Sequence, residues 1–145
     1  QYNMRSQTFA KSLPMAMVKG ALKRLDMLRT MPELKEKLWE NTNALQAGLR
    51  AAGFDLGTTQ TCITPVFLKG DIPEAMAMVN DLRENHGVFC SIVVYPVIPK
   101  GLIILRLIPT TTHTKEDIDE TIIAFSAIRV LLENGTYKKL AATIM

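Results

Sequence analysis

The sequence is poor in the residues that carry most metal and thiol chemistry. It has two cysteines and two histidines in 145 residues. Cys62, Cys90, His86 and His113 fall into none of the regular spacings of a zinc site, so no metal is expected. Each cysteine sits beside an apolar run expected to be a strand, which predicts buried, reduced thiols rather than a bridge. Long hydrophobic runs are missing, since no stretch reaches the roughly 18 apolar residues that cross a bilayer. The opening Gln1-Tyr2-Asn3-Met4-Arg5-Ser6 is not followed by the apolar core of a signal peptide. Aromatic residues make up 6% of the chain and do not interleave with the basic residues, so no stacking platform for nucleic acid is expected. No serine stands in a nucleophile elbow, and no glycine-rich loop is built to cradle a phosphate. Together these absences exclude a disulfide mini-protein, a collagen, a disordered tail and a membrane span, and a cytoplasmic location is expected.

What is present is enough for one core. Apolar residues make up 48% of the chain, and a domain of this length buries roughly 68% of its unfolded surface. The formal charge of +3 is mild and points to no polyanionic partner. The chain starts at Gln1 with a helical pattern expected almost at once, which reads as a piece of a longer protein. From Pro14, Val18, Leu22, Leu25 and Leu28 recur at helical spacing beside Lys19, Lys23, Arg24 and Arg29. Thr30 and Glu33 around Pro32 predict a capping box for a second helix that carries Leu34, Leu38, Leu45 and Leu49 and stops at Gly53. A strand is expected over Ile63 to Leu68. A helix opened by Asp71-Ile72-Pro73-Glu74, with Met76, Val79 and Leu82 inward, follows and ends at Gly87. Strands are expected over Val88 to Tyr95 and Leu102 to Ile108, paired antiparallel through a short loop. Both strands are apolar at consecutive positions, so both sheet faces are expected to be covered, by helices or by another domain. Thr114 caps a last helix with Ile118, Ile122, Phe125, Ile128 and Leu132 inward, closed by Gly135, and the tail beyond Tyr137 is unassigned. The order is α-α-β-α-β-β-α, an α+β fold in which a small antiparallel sheet is packed by helices. Residues 1–30 are the lead-in helix, 31–137 the body and 138–145 the tail.

Arg106 is the first candidate for chemistry. It interrupts the apolar run Leu102-Ile103-Ile104-Leu105-Arg106-Leu107-Ile108, and a guanidinium there needs a partner. Its planar fork matches a carboxylate, so either a substrate acid or an internal salt bridge could meet it. His86 ends a helix, where a cation suits the dipole, and His113 reads as a loop or capping element. Met15, Met17, Met27 and Met31 cluster in or beside the first helix. They are expected to fill core; exposed, they would mark a surface that docks another domain.

Several segments, in order, resemble the α-oxoamine synthases, pyridoxal-phosphate (PLP) enzymes of fold type I. They are Phe9-Ala10-Lys11-Ser12-Leu13-Pro14, Pro32-Glu33-Leu34-Lys35-Glu36-Lys37-Leu38-Trp39-Glu40-Asn41 and Gly53-Phe54-Asp55-Leu56-Gly57. After these come Thr64-Pro65-Val66, Gly87-Val88-Phe89, Tyr95-Pro96-Val97-Ile98-Pro99, and Leu105-Arg106 with His113-Thr114 seven residues on. The family includes 2-amino-3-ketobutyrate coenzyme A ligase, 8-amino-7-oxononanoate synthase, 5-aminolevulinate synthase and serine palmitoyltransferase. Its members join an amino acid to an acyl-coenzyme A thioester.

The resemblance implies that this chain is the C-terminal small domain. An upstream large domain would carry the cofactor lysine, and the parent would be a homodimer. Arg106 falls where the family's arginine recognises the amino acid's α-carboxylate. Ala10, Lys11 and Ser12 fall in a signature that reaches the cofactor phosphate of the neighbouring subunit, but Ala10 lacks the hydroxyl that the signature uses. Thr8-Phe9-Ala10-Lys11 also resembles the family's cofactor-lysine loop, which would make Lys11 the Schiff-base lysine; the helix that follows Pro14 argues against this. No catalytic residue is expected in this chain, which alone should be inactive and bind no cofactor. Glycine and serine are the expected amino acids. Tyr95-Pro96-Val97-Ile98-Pro99-Lys100-Gly101 leans toward the serine palmitoyltransferase-like branch, with the short-acyl ligase as the other option. The alternatives are a stand-alone α+β interaction or regulatory module and the small domain of another fold type I aminotransferase.

Overall fold

The structure, a computed structural model, describes residues 12–144, with side chains as far as Leu140. Ala10 and Lys11 therefore lie outside the described residues, and Ser12 is exposed just ahead of the first helix. The described residues form five helices and three strands. The chain divides into two compact units, Gln1–Lys35 and Glu36–Met145.

The first unit holds α1 (Met15–Thr30), which has no buried residue. Its leucines share a face as the spacing predicts, yet Leu28 is 72% exposed, and Met15 and Met17 are exposed as well. Core filling is thus not the role of those two methionines. The Thr30 capping box is not formed either. Thr30 is the last residue of α1 and its hydroxyl donates back to the Asp26 carbonyl at 2.9 Å, satisfying that helix end instead of starting the next.

The second helix, α2 (Pro32–Ala51), buries Leu45 and Leu49 at its C-terminal end and leaves Leu34 and Leu38 half-buried. Gly53, at φ 82°, makes the left-handed turn that stops it. In the second unit β1 (Thr64–Lys69) and β3 (Leu102–Leu107) pair antiparallel. The third strand, β2 (Ser91–Val93), flanks β3 on its other side, so the sheet order is β1-β3-β2. The expected strand over Val88 to Tyr95 thus pairs over only three residues. Between the strands, α3 (Ile72–His86) opens with the expected capping box: the Asp71 carboxylate accepts the Glu74 N–H at 3.0 Å, and Glu74 accepts the Asp71 N–H at 3.0 Å. Met76 is 61% exposed, and Ala75, Met78 and Leu82 form the inner stripe. Of the expected stripe, Leu82 is buried and Val79 is half-buried against the core, while Met76 faces out.

Helix α4 (Lys115–Glu133) is capped by Thr114 and buries Ile118, Ala124, Phe125 and Ile128. Gly135 turns the chain at φ 74°, and the segment left unassigned folds into α5 (Thr136–Ile144). Helices α3, α4 and α5 pack on one another. The core joins them to one face of the sheet: Val66, Ile103, Leu105 and Leu107 are buried with Leu49, Met78, Leu82, Phe125 and Tyr137. The described helices cover only this face of the sheet, so of the two covers expected for the other face, helices or another domain, helices do not supply it here.

Candidate functional site: the open face of the sheet

Alternation along β3 decides which side chains reach that face. Ile103, Leu105 and Leu107 turn into the core, so Leu102, Ile104 and Arg106 turn out. The register puts Pro65 of β1 and Ser91 of β2 on either side of Arg106, and Phe67 and Val93 on either side of Ile104. The open face therefore carries Pro65, Phe67, Val93, Leu102 and Ile104 around the Arg106 guanidinium, with Lys69 beside Leu102 at its far end. Asp55, bridged to Phe67, is the carboxylate at the edge of this face, and it forms no ion pair with Arg106. Arg106 is exposed, and its Nε–H donates to Ser91 Oγ at 3.1 Å. It enters none of the ion pairs among the described residues. The internal salt bridge is thus not what this arginine makes, and both terminal nitrogens of its fork stay open.

The histidines gather elsewhere. His86, His113, Asp117 and Glu120 line a cleft of about 390 Å³ with an apolar wall of Val88, Phe89 and Leu107. His113 Nδ1 accepts the Thr110 N–H at 2.9 Å, so the neutral ring carries its proton on Nε2. The loop holding His113 is fixed by Asn41, buried in α2, whose amide donates to the carbonyls of Thr110 at 2.9 Å and His113 at 2.8 Å. Hydrogen bonds from the Thr114 N–H and hydroxyl, with the charge of His113 adding to them, hold the Asp117 carboxyl below the usual range. His113 is thus the loop element its position suggested. His86 is the last residue of α3, also as expected. No cluster that could hold a metal forms among the described residues. A second, smaller cleft of about 260 Å³ is lined by Pro73, Val94, Tyr95, Lys100 and Leu102. Arg106 lines neither cleft, so its site is a surface and not an enclosed pocket.

The cysteines are free. Cys90 is buried, and burial pushes its thiol up to about 11. Spacing gave no signal for Ser91, whose importance comes from lying across the strand from Arg106, nor for Asn41.

These residues do not by themselves fit PLP. The cofactor needs a lysine for its aldehyde, a cup for its phosphate and an acid for its ring nitrogen. Lys100 is the one lysine lining either cleft, and its Nζ sits 5.0 Å from the centre of the Tyr95 ring. The open fork of Arg106 instead suits the carboxylate of a substrate.

Among the described residues no helix is long and apolar enough to cross a membrane. The family model for aminotransferase class I and II matches residues 1–125. A cysteate-C-fatty acyltransferase from Capnocytophaga ochracea is 67% identical over 144 residues, covering 99% of this chain and 34% of that protein. An 8-amino-7-oxononanoate synthase from Symbiobacterium thermophilum is 38% identical over 120 residues, covering 83% of this chain and 30% of that protein. Among solved structures, a serine palmitoyltransferase from S. paucimobilis with bound PLP–myriocin superposes with a TM-score of 0.72 at 34% identity, covering 82% of this chain and 30% of that one. The chain spans about a third of the length of the curated relatives it matches. The same small sheet and helix order, matched across nearly the whole chain, make it a member of the aminotransferase class I and II family, on the α-oxoamine synthase branch of PLP enzymes.

Proposed function

We propose that this chain supplies the substrate-carboxylate grip of a PLP-dependent acyltransferase that joins cysteate to a fatty acyl-coenzyme A. The observation that carries the reading is Arg106: a guanidinium on an open apolar sheet face, in no ion pair among the described residues and with both fork nitrogens free. A carboxylate docked there makes two parallel charge-assisted hydrogen bonds, which fix its plane as well as its position. That orientation sets which bond at the substrate's α-carbon faces the reacting group, and orientation of this kind is worth about several kcal/mol of barrier. The bound cofactor supplies the electron sink that lets that bond break. Cysteate is preferred to the glycine or serine that the sequence suggested because the relative sharing 67% identity over 144 residues is named for it.

The cofactor lysine and most of the cofactor's contacts belong to residues beyond this chain, which by itself is inactive. In the whole protein the chain meets a large domain and a second subunit. Lys11 or a main-chain N–H near Ser12 stands in for the hydroxyl that Ala10 lacks in reaching the partner's cofactor phosphate.

The test is coenzyme A release by the full-length, PLP-loaded protein from palmitoyl-coenzyme A with cysteate, serine or glycine, and from acetyl-coenzyme A with glycine. Turnover led by cysteate with the long acyl chain is expected, together with a KM for the amino acid at least about thirtyfold higher in Arg106→Ala, the loss of a charge-assisted bidentate pair. Preference for glycine and acetyl-coenzyme A overturns the substrate assignment. An Arg106→Ala protein with unchanged KM overturns the role of the arginine.

A further inference from the structure

We propose that Ser91 is the positioning residue of Arg106 and a third donor to the substrate carboxylate. The role rests on the reading of Arg106 as the carboxylate grip. A long arginine on an exposed sheet face has many rotamers, and holding one of them is a cost paid at binding unless the protein has set it beforehand. Here one contact sets it. Ser91 lies directly across the strand pair from Arg106, and its Oγ accepts the Nε–H at 3.1 Å. This bond holds the Nε edge of the guanidinium and leaves both terminal nitrogens for an incoming group. The opposite neighbour across β1 is Pro65, which offers neither a hydroxyl nor a charge. Nothing else among the described residues anchors the group.

The same hydroxyl has a proton left over. In accepting from Nε it uses a lone pair and remains free to donate. An incoming oxyanion therefore meets two N–H donors from the fork and one O–H donor beside them. No ion pair among the described residues engages Arg106, and the apolar Phe67, Val93 and Ile104 lie on the face around these donors. Ser91 thus both aims the fork and adds to its selectivity for a carboxylate over an uncharged group.

The test compares ligands with and without the carboxylate on the full-length, PLP-loaded protein. Dissociation constants are measured by the absorbance change of the bound cofactor for the amino-acid substrate and for its decarboxylated amine: cysteate against taurine, or serine against ethanolamine. Ser91→Ala is expected to weaken the amino acid about five- to tenfold and leave the amine within twofold, the loss of one hydrogen bond to a charged group. Ser91→Thr, which keeps the hydroxyl on a residue suited to strands, is expected to restore the amino acid to within about twofold. Equal weakening of acid and amine in Ser91→Ala, or no weakening at all, overturns the positioning role, as does failure of Ser91→Thr to rescue. Arg106→Ala separates the two claims. If it leaves the preference for acid over amine intact, the grip itself is misassigned. If it abolishes the preference while Ser91→Ala does not change it, the grip stands and only the role of Ser91 falls.

Discussion

At the scale of single residues, what a side chain does here depends on its partners more than its type. Tyr137 is buried, and its hydroxyl donates to Asp81. Burial, then that bond and the charge of Asp81, raise the Tyr137 phenol well above its ordinary value. At Asp81 burial pulls the carboxyl upward, but hydrogen bonds from Asn85 and Tyr137 and the charge of His86 outweigh it and leave the group below the usual carboxylate range. A depressed carboxylate adds stability above its unfolded value, about 3.9, and that stability is lost as pH falls through the folded value. Asp81→Asn is therefore expected to flatten the stability profile below about pH 4, measured as urea midpoints from pH 2.5 to 7. A parallel profile in the variant removes Asp81 from the acid transition. The thiols differ for a related reason. With Cys90 pushed up to about 11, almost none of it is thiolate at pH 8, while Cys62 is half-exposed. Iodoacetamide followed by peptide mapping is expected to label Cys62 first and Cys90 only on unfolding; equal rates in the folded protein contradict the burial. Arg106 was legible in the sequence because a charge inside an apolar strand must find an answer. Asn41 and Gln46 were not, because they answer main-chain atoms across gaps in sequence. Gln46 donates to the Thr61 carbonyl at 3.0 Å and to Thr64 Oγ at 3.2 Å, as Asn41 does to Thr110 and His113. Neither pairing leaves any periodic mark.

At the scale of elements, local chemistry explains most starts and stops. Asp71 with Glu74 closes the start that its spacing predicts, and Thr114 caps α4 as expected, with Asp117 completing a box that was not foreseen. Asp71→Ala is expected to cost about 1 kcal/mol by urea unfolding, with Asp71→Ser recovering most of it. A neutral change would mean that α3 is held by packing alone. Boundaries decided by partners are different. β2 pairs over only three residues because β3 meets it only there, whatever the β-branched run from Val88 suggests. Helix α5 went unassigned because it is short and its inward residue, Tyr137, gains its meaning from Asp81 on α3. Leu105 sits at the centre of the middle strand, paired with both Val66 and Ile92 and fully buried. Leu105→Ala is expected to destabilise the protein by about 2–5 kcal/mol in the same measurement; a loss below about 1 kcal/mol would mean that the sheet relaxes into the space.

At the scale of the whole molecule, the question is what a chain one third the length of its relatives holds. The described residues leave the Arg106 fork open but gather no lysine, acid and phosphate cup together at either cleft. This chain, mixed with PLP and reduced with borohydride, is expected to show no single stoichiometric adduct by peptide mass mapping; one adduct at Lys11 would place the cofactor lysine here and overturn the assignment. The sequence by itself determined the family, the element order and the inward stripes of α2 and α4, because capping residues, turn glycines and helical periodicity act within a few positions of each other. It also singled out Arg106. Only the tertiary structure decided that the second face of the sheet stays open, that Met78 and not Met76 turns inward, and that Ser91 stands beside the arginine. Each of these depends on which strands pair and in what register. A shift of one residue in either strand would exchange the two faces, and local sequence does not record that choice.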